Sequence, residues 1–335
     1  MRNLISDYLE LAKARLGALV VLTAFVGYLL GARGNPSLWV GAAAVVGTAL
    51  SAFGANILNQ WWEVERDSRM LRTRERPLPA GRIERDRAGM WGVVTALTGL
   101  VVLAFGTNWL TTGLSLGVIL LYVLVYTPLK VLTPLNTVVG AVCGAVPPMM
   151  GWAAATGQLD IGAWILGGIL FVWQIPHFLA LAWLYRDDYA RGGFRMLPAV
   201  DAEGRLTGRL AFIYAAALLP ITAALSAAGV TGGAFLVASQ VVGMAFVALG
   251  WMFLRDRSRQ SARRLFLASI LYLPLVLGLG VVDMSHRRDT AVSRTGHAVA
   301  SLSSVEVMTS LDQSTAPSYG LSLTAVWLPA LSPAM

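Results

Sequence analysis

Asn59, Glu63 and Asp67 recur every four residues, so on a continuous helix they form one stripe, each ~6 Å along the axis from the last. Acceptor oxygens in such a row make a cation site. Mg2+ takes a few carboxylates together with phosphate oxygens and retained water, and this stripe supplies the protein's share of that set. Arg72, Arg74 and Arg76 follow, ending at Pro77. Guanidinium groups suit bidentate phosphate recognition, so acids beside an arginine row point to a diphosphate rather than a carboxylate substrate. Taken alone, the arginines equally fit a solvated interfacial loop; four-spaced acids at the same helix end carry the diphosphate reading. Glu65 points to the other side of such a helix and is a poorer ligand.

A second cluster, Arg186, Asp187 and Asp188, follows an apolar stretch containing Trp173-Gln-Ile-Pro-His177. His177 and Asp188 are eleven residues apart, close to three helical turns, and share a face if the helix is regular between them. An ionisable residue inside a span marks a functional site by default; for His177 the competing reading is an imidazole hydrogen-bonded to a neighbouring helix. Pro176 is expected to bend this helix and free a carbonyl. Lys130, closing Tyr126-Thr-Pro-Leu-Lys130, either snorkels to lipid headgroups or meets the diphosphate. Trp61 and Trp62 read as interfacial belt residues, and Cys143, Met149 and Met150 as packing. One cysteine in the chain excludes an internal disulfide and a cysteine-built zinc knot.

The elements that must position these groups are set by composition. The chain of 335 residues is 56% hydrophobic and 13% charged, with mean hydropathy +0.64, which excludes a soluble globular protein. Apolar runs place nine spans near 16–32, 38–60, 88–106, 109–126, 134–155, 162–183, 209–228, 233–253 and 265–283, each near the ~20 residues a helix needs to cross a bilayer. Barrel strands would alternate over about ten residues, whereas these runs are continuous and rich in Ala, Leu and Gly. Twenty-two of the 26 Lys and Arg fall before the first span or in alternate loops. The positive-inside bias then puts the N-terminus and both acidic clusters in the cytoplasm. No cleavable signal or transit peptide is read in the first fourteen residues, which hold Asp7, Glu10 and Lys13, favouring a bacterial cell inner membrane. The expected organisation is a nine-helix membrane domain over 1–283 and a disordered tail over 284–335.

Two acidic clusters over a lipid-lined cavity suit a substrate with a charged head and a long apolar tail, which describes an allylic diphosphate. Mg2+ and basic residues would neutralise the departing diphosphate, and an apolar cavity would shield the allylic cation from water. Two alternatives stand beside this. One keeps the fold and changes the acceptor to a quinone precursor or chlorophyll-like ring. The other is a transporter or carrier without chemistry, which the lack of an internal repeat disfavours. Nothing points to nucleic acid.

The residues also carry a resemblance. Asn59-Gln-Trp-Trp-Glu-Val-Glu-Arg-Asp67 with Met70-Leu-Arg-Thr-Arg-Glu-Arg-Pro-Leu78 resembles the first aspartate-rich motif of the UbiA-type membrane prenyltransferases. Tyr126 to Lys130, Thr133 to Thr137, Gly140 to Pro148, Gly151 to Gly157, Trp173 to Phe178 and Tyr185 to Arg191 are similar to its heme-farnesylating subgroup, a match over roughly residues 7–283. The resemblance implies an all-α bundle of nine transmembrane helices that moves a farnesyl group from farnesyl diphosphate to the 2-vinyl group of heme B, giving heme O, with Mg2+ as cofactor and a downstream heme A synthase as a possible partner. It implies Asn59, Glu63 and Asp67 as ligands of Mg2+ and diphosphate, and Asp188, with Asp187, at a second metal. Arg72, Arg76 and Lys130 would contact phosphate, Tyr126 and Arg186 would lie among the substrate contacts, and His177 would face the heme. One departure is plain: the family's second motif has acids four apart, and here Arg191 and Gly192 stand four beyond Asp187 and Asp188.

Overall fold

In the computed structural model, residues 4–284 are described. The expected tail falls, from residue 285 onward, outside them. The described part is helical, and among its residues there is no strand. Nine of its helices are long and apolar enough to cross a membrane, making this a multi-pass membrane protein.

A short amphipathic helix comes first, α1 (Leu4–Leu11), and then α2 (Ala14–Ala32), α3 (Leu38–Asp67), α4 (Arg85–Gly106) and α5 (Trp109–Leu120). The last runs on as a π-helical turn, Leu121–Tyr126, and a single turn α6 (Thr127–Leu129). Next come α7 (Asn136–Thr156), α8 (Ile161–Leu184), the surface helices α9 (Arg186–Arg191) and α10 (Leu197–Val200), α11 (Arg205–Ala227) and α12 (Gly233–Asp256). Arg259–Met284 forms α13.

Side-chain caps start several spans where the sequence offers a short polar residue. Asn108 Oδ1 accepts from the Thr111 amide at 2.9 Å, and Asp160 Oδ1 from Gly162 at 3.0 Å, each satisfying a donor that the first helical turn leaves free. In their most apolar stretches, α7 and α8 bury 61% and 67% of residues, against 28% for α4, α11 and α12. The former two are therefore the centre of the bundle and the latter its lipid-facing wall. Two glycines permit the central crossing. A Cβ on Gly27 of α2 would overlap the Pro148 carbonyl, and one on Gly151 of α7 the Ala24 carbonyl, so the two backbones approach as small-residue membrane crossings do.

The helices differ from the expected spans in ways that matter. α3 continues two turns past residue 60 to Asp67, because past the apolar run the acids still have buried partners. α13 starts six residues before the expected 265. α1, too short and too charged to register as an apolar run, was not expected. Pro176 lies within the unbroken run of α8.

Candidate active site

The stripe forms on the last two turns of α3. Asn59, Glu63 and Asp67 are all buried, at 0%, 5% and 1% exposure, and each meets a cationic or hydroxyl partner from a different part of the chain. Lys13 Nζ donates to Asn59 Oδ1 at 2.6 Å, while the Asn59 amide donates to Thr127 Oγ1 at 3.0 Å. Lys130 Nζ reaches both Glu63 oxygens, at 2.8 and 3.1 Å. Arg76 Nη1 donates to Asp67 Oδ2 at 2.7 Å. Three acceptor side chains on one helical face thus stand opposite two ammonium groups and one guanidinium.

The placement of Lys13 follows from local structure. Asn56 and Gln60, one turn apart on α3, donate to the carbonyls of Ala12 (3.2 Å) and Leu11 (2.5 Å), satisfying acceptors at the end of α1 that have no helical partner. Lys13 itself adopts φ 50°, the left-handed region costly to a residue with a Cβ, and so separates α1 from α2. Burial first, then the nearby Arg76 and Lys130 charges, pushes the Lys13 ammonium down to about 7, against the opposing pull of Glu63 and Asp67. Burial would also lower Lys130, but the Glu63 carboxylate, with Tyr126 and Tyr122, outweighs it and raises the ammonium above the ordinary lysine range. Lys130 also lies 4.7 Å from the centre of the Tyr126 ring, which stacks on Tyr122 at 5.3 Å. Both tyrosines sit on the π-helical turn, a backbone irregularity frequent at functional sites.

The second cluster has a different function in the fold. Asp188 is buried and accepts from the backbone amides of Leu71 (2.8 Å) and Arg72 (3.2 Å) and from Arg191 Nη2 (2.7 Å). It pins the loop after α3 to α9. Burial opposes ionisation of Asp188, but Arg191 and the two amides prevail and hold its carboxyl below the usual range. Asp187 is exposed and lies 3.7 Å from Arg186, whose guanidinium covers the Trp183 ring at 4.7 Å. Arg72 is parted from Arg76: it sits against the Tyr185 and Tyr189 rings at 5.4 and 5.6 Å. Arg74 turns outward to Glu75. A cavity of about 440 Å³ opens between Arg72, Tyr185, Asp187, Asp188, Arg191 and Arg259.

His177 and Asp188 do not share a continuous face, because Tyr185 leaves helical geometry at φ −116°, ψ 23° between α8 and α9. His177 instead turns toward α13. Its Nδ1 is 2.7 Å from Ser269 Oγ, and its ring lies against Trp173 and Phe266, each at 5.0 Å. Cys143, Met149 and Met150 are buried, as expected of packing residues. Among the described residues no three of His, Cys, Asp and Glu gather to hold a metal ion. A cation at the α3 stripe would therefore draw on Asn59, two carboxylates and oxygens of the substrate. That donor set suits Mg2+ bound together with a diphosphate.

Lys13 and Thr127, which contact Asn59, and Asn56 and Gln60, which hold the chain beside Lys13, are not singled out by the sequence. Lys13 was visible only as one of the basic residues before the first span, and the amides of Asn56 and Gln60 carried no signal of their own beside the more obvious acids.

Residues 20–273 match the model of the UbiA prenyltransferase family. Protoheme IX farnesyltransferase of Solibacter usitatus is 40% identical over 287 residues, 83% of this chain and 98% of that one. Its counterpart from Anaeromyxobacter sp. is 44% identical over 270 residues, 81% and 90% of the two chains. The human mitochondrial protoheme IX farnesyltransferase is 44% identical over 269 residues, 80% of this chain and 60% of that one. The structure of digeranylgeranylglyceryl phosphate synthase in membranes shares the fold, with TM-score 0.71 at 16% identity over 84% of this chain and 98% of that one. So does a UbiA homolog from Archaeoglobus fulgidus bound to DMAPP and Mg2+, with TM-score 0.55 at 16% identity over 83% and 99%.

Proposed function

The chain belongs to the UbiA prenyltransferase family, and from that premise we propose that it transfers a farnesyl group from farnesyl diphosphate to the 2-vinyl group of heme B, giving heme O and diphosphate. The observation that carries the diphosphate half is the buried row of Asn59, Glu63 and Asp67 facing Lys13, Lys130 and Arg76. The heme half is supported by the names of relatives more than 40% identical over four fifths of the chain.

Lys13, Lys130 and Arg76 bind the diphosphate and gain interaction as the allylic carbon to oxygen bond breaks and its electron pair leaves with the diphosphate, which is differential stabilisation of the transition state. Mg2+, held by Asn59, Glu63 and Asp67, would supply Lewis-acid neutralisation of that developing charge. Asp188 acts one step removed, by fixing the loop that carries Arg76. Tyr122 and Tyr126, stacked on each other beside Lys130, add aromatic surface next to the stripe, and the surrounding apolar helices keep water from the allylic cation. The terminal carbon of the vinyl group bonds to farnesyl C1; the positive charge passes to the inner vinyl carbon, where water adds and a proton leaves. We assign His177, held between α8 and α13 by Ser269, to the acceptor side. The positive-inside bias of the basic loops supports a cytoplasmic N-terminus and cytoplasmic acidic clusters, and a bacterial inner membrane is the location this reading assigns to the chain. A heme A synthase would consume the product.

Protein in lipid nanodiscs with heme B, farnesyl diphosphate and Mg2+, followed by mass spectrometry, tests this. Heme O should form, and should vanish with chelator and in Asp67→Ala. Prenylation of a quinone or chlorin while heme B stays unchanged would overturn the acceptor, and no turnover of any acceptor by folded protein would overturn the chemistry.

A further inference from the structure

Two of the three cations that face the α3 stripe are tied to each other by a residue outside it. Lys13 stands between α1 and α2, and Arg76 belongs to the loop after α3. Arg82 reaches both segments. Its Nε donates to Asp7 Oδ1 on α1 at 3.0 Å, and its Nη2 donates to the carbonyl of Glu75, the neighbour of Arg76, also at 3.0 Å. Glu10 Oε2 lies 3.8 Å from the same Nη2. The Asp7 side chain is 7% exposed and that of Arg82 28%, so the pair is largely withdrawn from water. The anchor is itself fixed. The Arg82 and Ile83 amides both donate to the Pro77 carbonyl, at 2.9 and 3.3 Å, and Leu78 and Ile83 share one apolar cluster with Leu11 and Ala12.

We propose that Arg82 is a positioning residue for the diphosphate, holding Lys13 and Arg76 in register so that the two bind as one clamp. The inference rests on the diphosphate reading of the stripe above. Lys13 needs such support, because its φ of 50° is costly to a residue with a Cβ and the neighbouring α1 must be held for the ammonium to stay at Asn59. A planar guanidinium presents its donors in a fixed fork, so α1 and the loop cannot shift independently while Asp7 and the Glu75 carbonyl are both kept. Cations set in place before the ligand arrives lose less freedom when it binds.

Calorimetric titration of nanodisc-embedded protein with inorganic diphosphate in the presence of Mg2+ tests this, for the unaltered chain, Arg82→Gln, Lys13→Met and the two combined. Arg82→Gln should raise the Kd about tenfold in the unaltered background. With Lys13 already replaced, it should raise it only about two- to threefold, the part that acts through Arg76. If Arg82→Gln fails to fold because the Asp7 carboxylate is left unpaired, Asp7→Asn with Arg82→Gln removes that buried charge and carries the same expectation. Unchanged affinity together with lower resistance to denaturant, or factors that simply multiply in the combined variant, overturns the positioning role. Lys13→Met with unchanged affinity overturns the diphosphate reading of the stripe, and the positioning role with it.

Discussion

Removing Lys130 should cost more stability than removing Lys130 and Glu63 together. Lys130 Nζ holds both Glu63 oxygens, at 2.8 and 3.1 Å, and the two side chains are only 14% and 6% exposed. Two charge-assisted hydrogen bonds at ~1.5–3 kcal/mol each, or equivalently a buried carboxylate left without its partner, put Lys130→Met at about 3–5 kcal/mol destabilising. Glu63→Leu combined with Lys130→Met removes both desolvation penalties along with the attraction, and buried pairs replaced by apolar residues are commonly neutral in stability. The expected double-mutant coupling is therefore ~3 kcal/mol or more. Denaturant unfolding of the three variants in one lipid composition, with heme O production measured in parallel, separates stability from chemistry. Lys130→Met should be unstable and inactive, and the double variant stable and inactive. Lys130→Met as stable as the unaltered chain would refute the burial argument; a double variant that makes heme O normally would remove the stripe from catalysis.

Three further outcomes follow from the same contacts. Asp188→Asn should free the loop after α3, seen as faster hydrogen exchange of the Leu71 and Arg72 amides that Asp188 holds. Because the Asp188 carboxyl titrates below its ordinary range in the folded chain, its contribution is present above the unfolded value of about 3.9 and fades only as pH falls through the lower folded one; protection should thus persist at pH 4 in the unaltered chain and be absent at every pH in the variant. Lys13→Met should raise KM for farnesyl diphosphate roughly 10- to 100-fold, the worth of one charge-assisted bond, and leave KM for heme B alone; an unchanged KM would detach Lys13 from the diphosphate. Gly151→Val places a side chain on the Ala24 carbonyl, so folded, monodisperse protein should fall sharply on size exclusion, and full recovery would contradict the close α2–α7 crossing.

How far the sequence revealed the molecule depended on whether a property was periodic along the chain or made by contact across it. Nine spans were legible because lipid selects for long uncharged runs, which the eye counts directly. Four-residue spacing likewise showed that Asn59, Glu63 and Asp67 share a face, provided α3 continued, and it does. The helix break at Tyr185 was not legible, since nothing in Trp-Leu-Tyr-Arg-Asp-Asp announces the turn, and so the shared face of His177 and Asp188 was an artefact of assuming regularity. The partners were hidden for a deeper reason. Lys13 reaches Asn59 across 46 residues and Lys130 reaches Glu63 across 67, and neither distance has a local signature. A membrane chain is nevertheless forced toward such pairings: an acid at the end of a span can stay ionised only beside a cation or water, so a buried stripe of acids predicts cations from elsewhere without saying which. Of the 26 basic residues, positive-inside bias accounts for most without reference to any site. The few that matter are identified by the acids they neutralise, and this is why the diphosphate site became specific only once helices separated in sequence were brought together.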